Sequence, residues 1–284
     1  MTIKHYRDQF IQELTSLYDV GEAESFFYRI LEARHQLKRI DIALQPELAL
    51  TVAELEDWNL ILEQLKKEIP IQYLLGSTHF YGLKFEVNSN VLIPRPETEE
   101  LVEWIIESQQ LAIGDKKVRI LDIGTGSGCI AIALAKNLPN AQVFAFDVSE
   151  QALGTAQKNA ELNQVAIQFI HQSVLETEDL GQQFDIIVSN PPYVRHLEKL
   201  EIKKNVLDNE PHLALFVADD DALIFYRKIA ELAQKNLNPQ GQLYFEINQY
   251  LGQETLDLLQ EMGFKNTELR KDIYGNDRMI QCAI

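Results

Sequence analysis

Residues 118–128 restrict the fold more tightly than any other stretch of the chain. Val118-Arg119-Ile120-Leu121-Asp122-Ile123 is a short, mostly apolar run, as expected of a strand buried on both faces. It breaks at once into Gly124-Thr125-Gly126-Ser127-Gly128, and a helical pattern follows. Similar units continue to the end. Strand-like runs at 118–123, 142–147, 166–170, 184–189 and 242–247 alternate with helical patterns near 128–137, 150–162, 220–237 and 249–262. This alternation predicts an α/β fold with a parallel, doubly wound sheet and helices on both faces. Residues 264–283 read as two further strands around the turn Tyr274-Gly275-Asn276-Asp277.

The front of the chain follows a different period. Phe10, Leu14, Leu17 and Tyr18 have helical spacing, as do Phe26, Phe27, Ile30 and Leu31. Thr51 precedes the acidic turn Glu54, Glu56 and Asp57, then Leu60, Ile61, Leu62 and Leu65, which predicts a capped helix ending near Pro70. Residues 1–75 are therefore expected to form a small helical domain. Between His79 and Ile93, apolar residues alternate with the turn formers Gly82, Asn88, Ser89 and Asn90, the pattern of a β-hairpin. Residues 76–94 would link the helical domain to an α/β domain over 95–284, which opens with a helix from about Glu97 to Gln109.

Composition narrows the function. With 46% apolar residues in 284, the chain can bury a sizeable core. No run reaches the roughly 18 consecutive apolar residues that would span a membrane. Charged residues near Met1 argue against a signal peptide, so a cytoplasmic location and no membrane partner are expected. Cys129 and Cys282 stand far apart without metal-ligand spacing, which argues against a disulfide framework or a zinc site; no metal is expected. Cys129 is read as a packing residue. Acidic residues outnumber basic ones 43 to 26, for a net charge of −17. Duplex binders usually carry a basic footprint, so direct nucleic-acid binding is disfavoured.

The glycine loop points to a nucleoside cofactor. Glycines allow positive φ and let backbone N–H groups approach a ligand. The second strand ends in Asp147, where a carboxylate accepts bonds from both hydroxyls of a ribose. A dinucleotide site needs GxGxxG, and this loop is the tighter GxGxG without a Walker lysine. S-adenosylmethionine carries a ribose and an amino-acid tail but no phosphate, and fits the shorter loop better. A purely structural turn is the bland reading.

The fourth strand ends in Asn190-Pro191-Pro192-Tyr193. Ligands of open α/β sheets bind beyond the carboxyl ends of the strands, so this loop shares a crevice with the glycines. The Asn190 amide oxygen accepts a hydrogen bond. Two prolines remove donors and stiffen the backbone, leaving carbonyls to accept. Tyr193 is expected to supply a flat wall. Two acceptors and a wall would hold a planar NH2 group with its nitrogen aimed at a methyl donor.

At these residues the chain resembles the protein-(glutamine-N5) methyltransferases that modify peptide chain release factors. The likeness runs nearly end to end. It includes Pro70-Ile71-Gln72-Tyr73 with Gly76, Val91-Leu92-Ile93-Pro94-Arg95-Pro96-Glu97-Thr98-Glu99, and Asp122 through Gly128. It continues through Asp147, Asn190 to Tyr193, Glu210-Pro211, Glu246-Ile247 and Asp272-Ile273-Tyr274-Gly275-Asn276-Asp277-Arg278. Asn-Pro-Pro-Tyr alone is shared with adenine-N6 DNA methyltransferases. The stretch 93–99 and the helical front are more diagnostic.

The resemblance implies a Rossmann-like, seven-stranded class I methyltransferase sheet with one antiparallel strand. It also implies a small N-terminal helical domain that helps hold a protein substrate, and a connecting β-hairpin. The implied cofactor is S-adenosylmethionine and the implied partner a release factor, whose Gly-Gly-Gln glutamine receives the methyl on its side-chain nitrogen. A monomer is expected. By position, Gly124, Thr125, Gly126, Ser127 and Gly128 would bind the methionine part and Asp147 the ribose. Asn190, with the Pro191 carbonyl, would grip the glutamine amide at the edge of the cofactor site, beside Pro192 and against Tyr193. Arg95 and Glu97 would either shape the loop over the site or pair to brace the domain junction.

One departure stands out. Family members often carry an Asp after the third strand, where this chain has Gln172-Ser173-Val174-Leu175. The adenine is then left to Ser173 or to the apolar pair Val174 and Leu175. Three other readings compete: glutamine methylation of a ribosomal protein, adenine-N6 methylation of nucleic acid, and a non-catalytic binding module. The acidic charge disfavours the second, and the intact Asn190 and glycine loop disfavour the third.

Overall fold

The computed structural model describes residues 1–111 and 117–284. The chain divides into two compact units, Met1–Gly76 with Lys204–Asn209, and Ser77–Lys203 with Glu210–Ile284.

The first unit holds helices α1 (Ile3–Leu14), α2 (Val20–His35), α3 (Arg39–Leu44), α4 (Val52–Lys66) and α5 (Ile71–Leu75). Their starts follow side-chain chemistry. The Thr51 hydroxyl accepts the Glu54 N–H while Glu54 accepts the Thr51 N–H, a reciprocal cap on α4. Asp19 caps α2 by accepting from the Glu22 N–H. Phe10, Leu14, Phe27, Ile30, Leu31, Trp58 and Leu65 meet in one buried cluster. Leu17 lies past the end of α1 and is half exposed, and Leu60 is on the outer face of α4. Apolar spacing alone did not separate these two from the core.

The second unit opens with a tight hairpin, β1 (Ser77–Phe80) and β2 (Leu83–Glu86). Tyr81 and Gly82 both have positive φ, the turn whose twist matches two-residue hairpins. Asn88, Ser89 and Asn90 lie beyond the hairpin in the coil leading to α6 (Pro96–Leu111). Then come β3 (Val118–Ile123), α7 (Cys129–Asn137), β4 (Ala141–Asp147), α8 (Glu150–Leu162), β5 (Ile167–His171) and β6 (Phe184–Ser189). The following stretch is more broken. It contains β7 (Val194–Arg195), a 3-10 turn at His196–Glu201, α9 (Lys204–Asn209), α10 (His212–Leu215) and β8 (Phe216–Val217). The chain ends with α11 (Ile224–Asn236), β9 (Leu237–Glu246), α12 (Gly252–Glu261), β10 (Lys265–Lys271) and β11 (Asp277–Ala283).

Seven strands form one sheet in the order β10-β11-β9-β6-β3-β4-β5, with β11 antiparallel to both neighbours and the other pairs parallel. Side chains alternate between its faces. Ile120, Val143, Ala145, Ile186, Val188 and Tyr244 pack with Leu101, Ile105 and Ala131 from α6 and α7. Leu121, Phe144, Phe146, Ile187, Leu243 and Phe245 pack with Tyr226, Ile229, Ala233 and Leu259 from α11 and α12. The sheet is thus covered on both faces. Among the described residues, no helix is long and apolar enough to cross a membrane.

Candidate active site

The chain order of the strands reverses between β3 and β6, and such a switch point leaves a crevice between diverging loops. Register places the loops side by side, because Ile123 pairs with Ser189 and Phe146 pairs with Ile123. The glycine loop, Asp147 and Asn190 therefore leave adjacent strand ends. A cavity of about 270 Å³ opens there, lined by Gly124, Thr125, Gly126, Ser127, Asp147, Val174, Leu175, Asn190, Pro191 and Pro192.

The loop is tied to its neighbours. Gly124 N–H and Thr125 N–H both donate to the Phe146 carbonyl, at 2.8 and 3.0 Å. Asp147 Oδ2 accepts the Gly126 N–H at 2.8 Å, and its Oδ1 accepts the Ser149 N–H at 2.9 Å. Each oxygen keeps lone pairs for a ligand hydroxyl. Below the loop, Asp122 is fully buried and accepts from the Thr125 hydroxyl at 2.7 Å and the Ala131 N–H at 3.3 Å. Its Oδ1 has no hydrogen-bond partner among the described residues. Burial, with the nearby Asp147 charge, pushes this carboxyl up to about 7 despite the two hydrogen bonds.

The donor set suits S-adenosylmethionine. A carboxylate at a strand end matches a ribose, backbone groups of the loop match an amino-acid tail, and Val174, Leu175 and Phe146 offer apolar area for a base. Gln172 and Ser173 line the same cavity, so polar groups also stand where the usual acid is missing.

Two predicted residues fall outside the lining. Gly128, at the start of α7, has φ +82°, and a Cβ there would come within 3.0 Å of Ala156 and Ile132. Its place is dictated by helix packing. Tyr193 packs against the apolar core, and its hydroxyl donates to Glu246 Oε1 at 3.1 Å. A buried phenol needs such a partner, and meeting it keeps the ring out of the lining. The flat wall expected of Tyr193 is not seen in this cavity. Cys129, read as packing only, both packs against the core and lines the cavity.

Sequence reasoning missed several lining residues: Leu92, Thr98, Pro211, Leu213 and Phe225. Thr98 carries a traceable signal, since it belongs to the stretch 93–99 singled out by motif. Its hydroxyl donates to Glu246 Oε2 at 2.6 Å and accepts from Asn190 Nδ2 at 3.4 Å. Burial raises the Glu246 carboxyl above its ordinary range, opposed by the Thr98 hydroxyl, the Arg278 charge and the Tyr193 hydroxyl. Arg95 pairs with Glu210 rather than with Glu97, and both members of that pair lie in the second unit.

Comparison with known proteins bears on the fold and the family. Residues 103–215 match the family model of the methyltransferase small domain, and residues 6–76 that of the PrmC N-terminal domain. A methyltransferase from Pyrococcus furiosus shares the fold, with a TM-score of 0.51 at 19% identity over 72% of this chain and 90% of that one. Sheet order, switch-point cavity and family model define the class: a methyltransferase on a seven-stranded class I sheet. The release factor glutamine methyltransferase of Flavobacterium psychrophilum is 66% identical over 99% of both chains. That of Bacteroides thetaiotaomicron is 44% identical over 95% of both. The chain belongs to the family of release factor glutamine methyltransferases.

Proposed function

We propose that the chain transfers a methyl group from S-adenosylmethionine to the side-chain amide nitrogen of the glutamine in the Gly-Gly-Gln loop of peptide chain release factors. Family membership supports the substrate. The observation that carries the chemistry is the Asn190 carboxamide on the cavity wall, whose Nδ2 donates to Thr98 while no donor among the described residues takes its oxygen.

The cofactor would be held by Asp147 at its ribose, by the loop Gly124 to Ser127 at its amino-acid tail, and by Val174 and Leu175 along its base. When bound, it supplies an electrophilic methyl on a sulfonium. The protein positions the nucleophile. Asn190 Oδ1 and the Pro191 carbonyl accept the two N–H bonds of the glutamine amide and fix its nitrogen in one plane. An amide nitrogen is so weak an acid that no side chain here removes its proton beforehand. As the N–C bond forms and the S–C bond breaks to leave a neutral thioether, orientation and the two oxygen dipoles lower the barrier by stabilising positive charge developing on that nitrogen, which afterwards loses one proton to water. The helical unit, Met1–Gly76 with Lys204–Asn209, would hold the body of the protein substrate.

The test is transfer of labelled methyl from S-adenosylmethionine to purified release factor, beside a Gly-Gly-Ala variant of its loop. Label on the wild-type factor alone, mapped to that glutamine, is expected. No label on either factor, with cofactor binding shown by calorimetry, would overturn the assignment and direct attention to a ribosomal protein.

A further inference from the structure

We propose that Thr98 and Glu246 are positioning residues that lock the Asn190 carboxamide with its oxygen toward the cavity, making the site selective for a substrate that donates an NH2 group. The inference rests on the reading of Asn190 given above. It assigns work to two motif residues that sequence alone left without any.

Three elements meet at this point: Thr98 on the first turn of α6, Asn190 just after β6, and Glu246 at the end of β9. Thr98 and Glu246 are 2% and 1% exposed, so bulk water does not compete for their bonds. Proton counting then fixes the direction of the chain. Both side-chain oxygens of Glu246 act as acceptors. Its Oε2 takes the single hydroxyl proton of Thr98 at 2.6 Å, and its Oε1 takes that of Tyr193 at 3.1 Å. With its proton committed, Thr98 Oγ1 presents only lone pairs to Asn190. The amide face that satisfies lone pairs is Nδ2, found at 3.4 Å. The other end of the carboxamide, Oδ1, must then face away from Thr98.

The consequence is chemical. A carboxamide turned the other way would present its own NH2 and repel the amide protons of glutamine. Glu246 does not line the cavity; among the described residues its side chain accepts from Thr98 and Tyr193.

Thr98→Val removes the hydroxyl at nearly constant volume, and Thr98→Ser restores it. In Thr98→Val, kcat for methyl transfer to release factor should fall by about tenfold or more. KM for the release factor and the calorimetric Kd for S-adenosylmethionine should each stay within about threefold. Thr98→Ser should recover most of kcat. A second readout needs no substrate. With asparagine side chains labelled with 15N, the Asn190 NH2 signal is identified by its loss in Asn190→Asp. Its protons should exchange slowly in wild type and Thr98→Ser, and fast in Thr98→Val and Glu246→Gln.

A Thr98→Val enzyme with wild-type kcat and unchanged amide exchange would overturn the proposal. So would a fall in kcat matched by an equal loss of cofactor affinity, since Thr98 would then serve the cofactor. If the wild type modifies no release factor yet its Asn190 amide is protected through Thr98, the substrate reading fails while the lock stands.

Discussion

Arg95 Nη2 lies 2.6 Å from Glu210 Oε1, and Glu210 Oε2 accepts the Ile93 backbone N–H at 3.1 Å. One carboxylate thus fastens both the backbone and a side chain of the segment that enters α6. The pair is asymmetric: the Glu210 side chain is 1% exposed and that of Arg95 31%. Removing the arginine strands a buried charge, whereas removing the glutamate leaves a cation that water can reach. Arg95→Ala should therefore destabilise the second unit by about 2–3 kcal/mol, discounted for partial exposure, and Glu210→Gln, which keeps an acceptor for the buried Ile93 N–H, by roughly 1 kcal/mol less. Urea unfolding midpoints decide the ranking. Equal or inverted losses would mean that Glu210 is not left stranded.

Asp147 has two kinds of work. Its oxygens accept the Gly126 and Ser149 N–H groups, and it lines the cavity. Asp147→Asn keeps the shape but loses the negative charge and one acceptor face. The loss in affinity for S-adenosylmethionine should be about 1–3 kcal/mol, or roughly tenfold to a hundredfold in Kd, if charge-assisted bonds reach the ribose. Isothermal titration calorimetry measures it directly. Native affinity in the variant would remove Asp147 from the cofactor contact and leave it as a brace of the loop.

The glycines of the loop should separate by function. Gly126 has φ +54° with open space around a Cβ, and it lines the cavity. Gly128 has φ +82° with Ala156 and Ile132 both 3.0 Å from that Cβ. Gly126→Ala should cost about 1–2 kcal/mol of stability from the left-handed backbone, but weaken cofactor binding strongly. Gly128→Ala should add about 1–3 kcal/mol of overpacking between α7 and α8, with a smaller effect on affinity. Thermal melts paired with calorimetry on both variants test the separation. A Gly128→Ala protein that melts normally but binds poorly would place that residue in the site after all.

These cases show where sequence was informative. Val118 to Gly128 carries a period, a breaker and a backbone demand in eleven consecutive residues, so strand, turn and helix start were all legible. Asp147 and Asn190 were legible because parallel sheets bring successive strand ends to one edge. Side-chain direction was not. Tyr193 follows the same strand end, yet its hydroxyl finds Glu246, a partner fifty-three positions away that no local pattern announces. The stretch Asp272 to Arg278 resembled functional sequence but folds back on itself. Asp272 accepts the Tyr274 and Asn276 N–H groups and the Arg278 guanidinium, bonds that hold its carboxyl below the ordinary range against the effect of burial. The short elements between β6 and α11 were also invisible, because two-residue strands and four-residue helices are too short to show a period.

Asp122 makes the stability of the second unit depend on pH in a direction opposite to that of most carboxylates. It sits in β3 under the glycine loop, and burial, with a contribution from Asp147, pushes it from 3.8 up to about 7. Between those two values the folded protein holds a proton on Asp122 that the unfolded chain has released. Stability contributed by this group is complete below about pH 4, declines as pH rises toward 7, and is flat above that. Integrated over a shift of roughly three units, the decline is on the order of 4 kcal/mol. The difference between wild type and Asp122→Asn isolates this group from every other that titrates. Unfolding free energies measured at pH 5, 6, 7 and 8 should move in favour of the variant as pH rises to 7 and then run parallel. Parallel curves throughout would mean that Asp122 titrates alike in both states and that its unpaired Oδ1 reaches solvent in solution.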